Sequence, residues 1–167
     1  GHDTHFLAQL IGPEGKVFAF DVQPEAIAAT QRLLQRWGVP EACYQLIGAS
    51  HAEMVAHLPG EAEGRIAAVI FNLGYLPGGD KSVITRAETT LPAVRTALEL
   101  LRPGGTLYLS WRVTPDADRR DENGRLYAAF DASVVRAALC GATVLHNKQT
   151  VSASAAKVIH RVIARAP

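Results

Sequence analysis

The sequence predicts an α/β fold, with a mostly parallel sheet, helices on both faces and an antiparallel hairpin at the C-terminal edge. Three observations predict it. Short β-branched and aromatic runs alternate with stretches whose apolar residues recur at helical spacing. The helical stretches lie between strand candidates, which is the arrangement of right-handed βαβ units. The last two strand candidates follow each other with no helix between them, which argues for a hairpin.

The elements follow in order. The turn "GPEG" (12–15) leads into "KVFAFD" (16–21), a short strand closed by an acid. "PEAIAATQRLLQRWG" (24–38) opens on Pro24, keeps a helical period and stops at Gly38. "CYQLIGASH" (43–51) reads as a strand running into a loop, "AEMVAHLP" (52–59) as a short helix ended by Pro59, and "RIAAVIFN" (65–72) as a fully buried strand. "TRAETTLPAVRTALELL" (85–101) is helical with "RPGG" (102–105) as its stop, and "TLYLSWRV" (106–113) is a strand. The polar stretch "TPDADRRDENG" (114–124) is expected to be a surface excursion or lid. "DASVVRAALCG" (131–141) closes the helices, and "ATVLHNKQTV" (142–151) with "AKVIHRVIARA" (156–166) supplies the hairpin.

A chain of 167 residues, 48% hydrophobic and 20% charged, suits one globular domain spanning 1–167. Its net charge of +1 supplies no overall field toward nucleic acid or membrane, so a polynucleotide partner would have to meet a local basic patch. Cys43 and Cys140 are isolated and lack CxxC spacing, as expected of thiols in a reducing compartment. The six histidines are scattered without acidic or thiol partners at ligand spacing, so no metal site is expected. No export signal or membrane span is visible, and a cytoplasmic protein is expected. The chain opens Gly1-His2-Asp3 and its one methionine is Met54, so a preceding segment is expected.

In an open α/β sheet, ligands bind beyond the carboxyl ends of the strands, so the residues there are the ones to read. Asp21 can accept hydrogen bonds from both hydroxyls of a ribose; it can equally serve as a turn or helix-capping residue. Gly48, Ala49, Ser50 and His51 would flank an adenine, or His51 could simply cap the next helix. After the third strand comes "NLGYLPGGDK" (72–81). If the nucleophile were an amine, the Asn72 amide oxygen and the Leu73 carbonyl could hold its N–H groups and aim its lone pair. Tyr75 could then lie flat against a planar base. The competing reading is a plain turn built from Asn and Gly.

These residues carry a resemblance. "GHDTHFLAQLIGPEGKVFAFDVQPEAI", Ser50-His51 and above all "FNLGYLPGGDKSVIT" (71–85) resemble the S-adenosylmethionine-dependent methyltransferases known as rRNA methylases. That family includes the tRNA enzyme that methylates the aminomethyl group of 5-aminomethyl(-2-thio)uridine at the wobble position. The likeness runs from residue 1 to about residue 108. It implies a Rossmann-like class I methyltransferase fold whose first, central strand precedes Gly1.

The resemblance also implies residue roles. Gly1, His2, Asp3 and Thr4 match the end of the cofactor loop, Asp21 the ribose-binding acid with Gln23 beside it, and Ser50 and His51 the adenine loop. Asn72, Leu73, Gly74 and Tyr75 match the catalytic loop, in which Asn72 and Gly74 also border the cofactor. Asp80 could take the amine's proton, or it could form a solvated ion pair with Lys81 at a helix start. Tyr75, Leu76, Pro77, Gly78, Lys81, Arg86 and Arg112 are the substrate-side candidates. Apart from the resemblance, Arg86, Arg112, Arg119, Arg120 and Arg125 could form the local basic patch for an RNA backbone, with a solvated loop as the competing reading for Arg119 and Arg120.

After "TLYLSWRV" the family usually carries a Tyr-x-Gly-His-x-x-Gly-x-x-Glu-like stretch, which "TPDADRRDENGRLYAAF" (114–130) replaces here. The expected cofactor is S-adenosylmethionine and the expected substrate an RNA, foremost a tRNA, with a homodimer left open. The alternatives are another RNA base, a small amine, or a non-catalytic member of the fold. A nicotinamide-dependent oxidoreductase would share the sheet and the acid, without requiring Asn-Leu-Gly-Tyr.

Overall fold

The computed structural model describes residues 1–73, 86–113, 119–120, 126–127, 132–151 and 158–167. Its described residues form two compact units, Gly1–Leu58 and those from Pro59 onward.

In the first unit, helix α1 (His2–Ile11) precedes strand β1 (Val17–Phe20), helix α2 (Pro24–Arg36) and strand β2 (Tyr44–Ile47). β1 and β2 pair in parallel, Val17 opposite Tyr44 and Phe20 opposite Ile47. Pro24 starts α2 because its fixed φ suits the first helical turn, and Gly38 (φ 66°) follows the C-cap Trp37 in a conformation that L side chains resist. Ala8, Val17, Leu34 and Tyr44 form the core, with Leu7, Val39 and Leu46 packed against it. The expected helix after β2 is a 3₁₀ turn (His51–Glu53) running into the single turn of α3 (Met54–His57).

The second unit contains β3 (Ile66–Leu73), α4 (Ala87–Leu100), β4 (Leu101–Arg112), α5 (Ala132–Ala138), β7 (Thr143–Val151) and β8 (Val158–Arg165); the short β5 (Arg119–Arg120) and β6 (Leu126–Tyr127) lie between β4 and α5. Its four-stranded sheet has the order β3-β4-β8-β7. β3 and β4 are parallel, while β8 runs antiparallel to β4 and β7 antiparallel to β8, so the expected hairpin sits at the edge. Along β4 the pleat sends Leu107, Leu109 and Trp111 to one face, where they lie opposite Ala164, Val162 and His160 of β8, all buried. α4 turns Thr90, Ala93, Val94, Ala97 and Leu100 inward, an i, i+3, i+4, i+7 stripe, and packs on β4 and α5.

Three expectations are corrected. "RPGG" (102–105) does not stand outside the strand as a helix stop; the helix ends at Leu100 and these residues open β4. The irregular pairing between Ile66 and Ala68, with Gly104 at φ 71°, absorbs the extra residues as a bulge. β3 is not fully buried: Phe71 is buried, but Ala67, Ala68 and Asn72 are exposed, because β3 ends its sheet and is flanked by β4 on one side. Within the stretch expected to be a surface excursion (114–124), Arg119 and Arg120 form β5, which pairs antiparallel with β6 just beyond it.

Candidate active site

In the first unit the parallel register places the carboxyl ends of β1 and β2 side by side, and the Asp21 N–H donates to the Ile47 carbonyl at 3.2 Å. One Asp21 oxygen, Oδ1, accepts the Gln23 N–H at 2.9 Å. The two readings of Asp21 are therefore compatible. It builds the turn into α2, and a carboxylate has further lone pairs with which to meet hydroxyls. Val22 follows it half exposed (50%), an apolar surface beside that acid which sequence reasoning did not single out. Gln23 is buried, and its carbonyl accepts from Ala26 N and Ile27 N as the N-cap of α2.

Beyond β2, Ser50 Oγ accepts the Ala52 N–H at 3.2 Å and so caps the 3₁₀ turn that begins at His51. His51 is half-buried, and that burial pushes its imidazole pKa below the ordinary value. Gly1 is the N-cap of α1, and His2, Asp3 and Thr4 lie in the helix's first turn. A Cβ on Gly1 would meet Thr30 Cα and Oγ1, each at 3.0 Å, so a glycine lets the start of α1 approach α2. Thr4 is buried.

In the second unit β3 carries Asn72 and Leu73 to its carboxyl end, with Asn72 opposite Ser110 and Leu73 opposite Trp111 of β4. The Ser110 hydroxyl donates to Asn72 Oδ1 at 3.0 Å. Arg112 closes β4, half-buried, and Arg86 is the exposed N-cap of α4, its carbonyl accepting from Thr90 N and Thr89 Oγ1. Arg119 and Arg120 form β5. Gly74, Tyr75, Leu76, Pro77, Gly78, Asp80, Lys81 and Arg125 lie outside the described residues.

The opposite face of β4 holds a second polar group that sequence reasoning missed. The His160 ring stacks on Trp111, with centroids 4.4 Å apart and planes 5° from parallel. Its Nε2 lies 2.5 Å from Asn147 Oδ1 and its Nδ1 lies 3.5 Å from Gln149 Nε2. An amide oxygen only accepts, so Nε2 is the donor in the bond to Asn147. Among the described residues no group of His, Cys, Asp or Glu could hold a metal ion, and no helix is long and apolar enough to cross a membrane.

Residues 17–118 match the family described as "Putative rRNA methylase", more than half of the chain. The chain belongs to this family. Its fold is that of the S-adenosylmethionine-dependent class I methyltransferases.

Among individual relatives, the chain is 41% identical over 116 residues to the chloroplastic tRNA (mnm(5)s(2)U34)-methyltransferase of Arabidopsis thaliana. That match covers 65% of this chain and 42% of the plant protein, so the chain spans less than half the length of that relative. A "putative rRNA-methylase" from Clostridium thermocellum shares 31% identity at a TM-score of 0.71, over 98% of this chain and 83% of its own. SMU.1697c of Streptococcus mutans, solved in complex with SAH, shares 28% identity at a TM-score of 0.67, over 99% and 82%.

Proposed function

We propose that this rRNA methylase family member is a cytoplasmic enzyme of one domain. In our reading it transfers a methyl group from S-adenosylmethionine to the aminomethyl nitrogen of a modified wobble uridine in tRNA. The observation that carries this reading is Asn72 at the carboxyl end of β3, its amide oxygen held by a buried hydroxyl, in a chain 41% identical to a tRNA methyltransferase.

The residues at the strand tips fit the cofactor: an acid with lone pairs to offer, and an exposed apolar side chain, Val22, beside it. Asp21 and Gln23 would hold the ribose, Ser50 and His51 would border the adenine, and the Gly1–Thr4 segment would border the rest. When bound, S-adenosylmethionine supplies a methyl group on a sulfonium, ready for displacement.

The chain's own contribution is alignment. The Asn72 amide oxygen and the Leu73 carbonyl accept the N–H groups of a neutral amine, which directs its lone pair away from them. Tyr75 would stack on the base, and Leu76, Pro77, Gly78 and Lys81 would serve the substrate side, as the family resemblance implies. The cofactor's sulfonium would supply the methyl group and leave as the neutral thioether, and Asp80 would take the proton that the methylated nitrogen loses. Arg86 and Arg112 meet backbone phosphates.

The test is transfer of a tritiated methyl group to tRNA carrying 5-aminomethyl-2-thiouridine, beside the same tRNA without the aminomethyl group. Label in the first and none in the second supports the reading. Label in both, or in ribosomal RNA instead, would overturn the choice of substrate. Failure to bind S-adenosylmethionine would overturn the reading altogether.

A further inference from the structure

We propose that Ser110 is a positioning residue for this reaction, acting through Asn72; the inference rests on the reading above. Strand β4 alternates, so Leu107, Leu109 and Trp111 enter the core while Tyr108, Ser110 and Arg112 take the other face. On that face the register sets Asn72, Ser110, Arg161 and Lys148 in one row across all four strands. Tyr108 and Arg112 are half-buried, whereas Ser110 is 5% exposed. A hydroxyl so enclosed needs a partner, and its bond to Asn72 Oδ1 at 3.0 Å provides one. On its other side, Arg161 directs its Nη1 to Thr150 Oγ1.

The bond bears on Asn72 because the last torsion of an asparagine side chain is broad and roughly two-fold. The hydroxyl that donates to Oδ1 ties that oxygen to β4 and holds the amide plane at one angle. Asn72 itself is exposed, so little packing does that for it. The Oδ1 atom is the one that must meet the amine N–H, and a displacement loses rate quickly when its nucleophile is misaligned.

The experiment compares wild type with Ser110→Ala, Asn72→Ala and the double variant, in methyl transfer to aminomethyl-uridine tRNA. Thermal unfolding of each confirms the fold. Ser110→Ala is expected to lower kcat about three- to tenfold, the value of one net hydrogen bond, with KM for S-adenosylmethionine unchanged. In the Asn72→Ala background the same change should leave kcat unaltered, because the group through which Ser110 acts is gone. Ser110→Cys, of similar volume and a weaker donor, should fall between Ser110→Ala and wild type. A wild-type kcat in Ser110→Ala, or an equal loss in both backgrounds, would overturn the inference and leave the function intact. A wild-type protein that binds S-adenosylmethionine but leaves the aminomethyl group unmethylated would overturn the functional reading, and the inference with it.

Discussion

Asp21 has a structural duty in the turn and a proposed one toward the ribose, and Asp21→Asn separates the two. Its Oδ1 accepts the Gln23 N–H at 2.9 Å, and an asparagine oxygen can make the same bond, so the turn into α2 should survive. What disappears is the negative charge. A hydrogen bond to an ionised acceptor contributes about 1.5–3 kcal/mol against about 0.5–1.5 for a neutral one. The loss is then about 1–1.5 kcal/mol for each ribose hydroxyl, or about tenfold in Kd for one and about a hundredfold for two.

Titration calorimetry with S-adenosylmethionine reads that loss, and Tm from thermal unfolding reads the turn. Asp21→Asn should weaken binding about ten- to a hundredfold with Tm within about 2 °C of wild type, as for a substitution costing less than about 0.5 kcal/mol. Asp21→Ala should weaken binding and also lower Tm by about 2–4 °C, as for a lost cap of about 1 kcal/mol. A wild-type Kd in Asp21→Asn would refute the ribose assignment and leave Asp21 as a turn residue alone.

Other expectations concern stability. Burial holds the folded His51 pKa below its ordinary 6.5, so the unfolded chain takes up a proton first as pH falls. That contribution is complete above about pH 6.5 and is lost as pH drops through it toward the folded value; His51→Gln should flatten the fall of Tm between about pH 7.5 and pH 5, and parallel curves would refute this. Leu107→Ala, at a fully buried β4 position, should cost about 2–5 kcal/mol in urea unfolding, and a loss below about 1 kcal/mol would contradict its place in the core. Gly38→Ala meets no atom and pays only for φ 66°, about 1 kcal/mol, whereas a Cβ at Gly105 would lie 2.8 Å from the Arg102 carbonyl oxygen. Gly105→Ala should therefore be the more destabilising of the two, and the reverse order would contradict the bulge.

The strands and helices were legible where a period ran long enough, as in α2 with Pro24 and Gly38 at its ends. The turn duty of Asp21 was legible from the Asp-x-x-Pro spacing. "RPGG" misled because glycine and proline mark a break without saying which element they interrupt. β3 misled because an apolar strand reads as buried whether or not it has a neighbour on both sides. Ser110 was out of reach: its partner Asn72 is 38 residues away, and only the β3–β4 register brings hydroxyl and amide together. The same holds for Trp111 and His160, whose stack depends on how β8 returns beside β4. The 3₁₀ turn at His51 was too short to show a period.

The outermost strand, β7, carries a bulge between Val144 and His146 and a polar middle of Asn147, Lys148, Gln149 and Thr150. An irregular backbone with a lysine on it makes a poor template for another chain's strand, because the hydrogen-bond spacing is broken and a charge would be trapped. Its exposed apolar residues, Val144, Leu145 and Val151, stand near the two ends of the strand and form no continuous ribbon. Such a rim disfavours strand-to-strand pairing of copies along this one edge of the sheet.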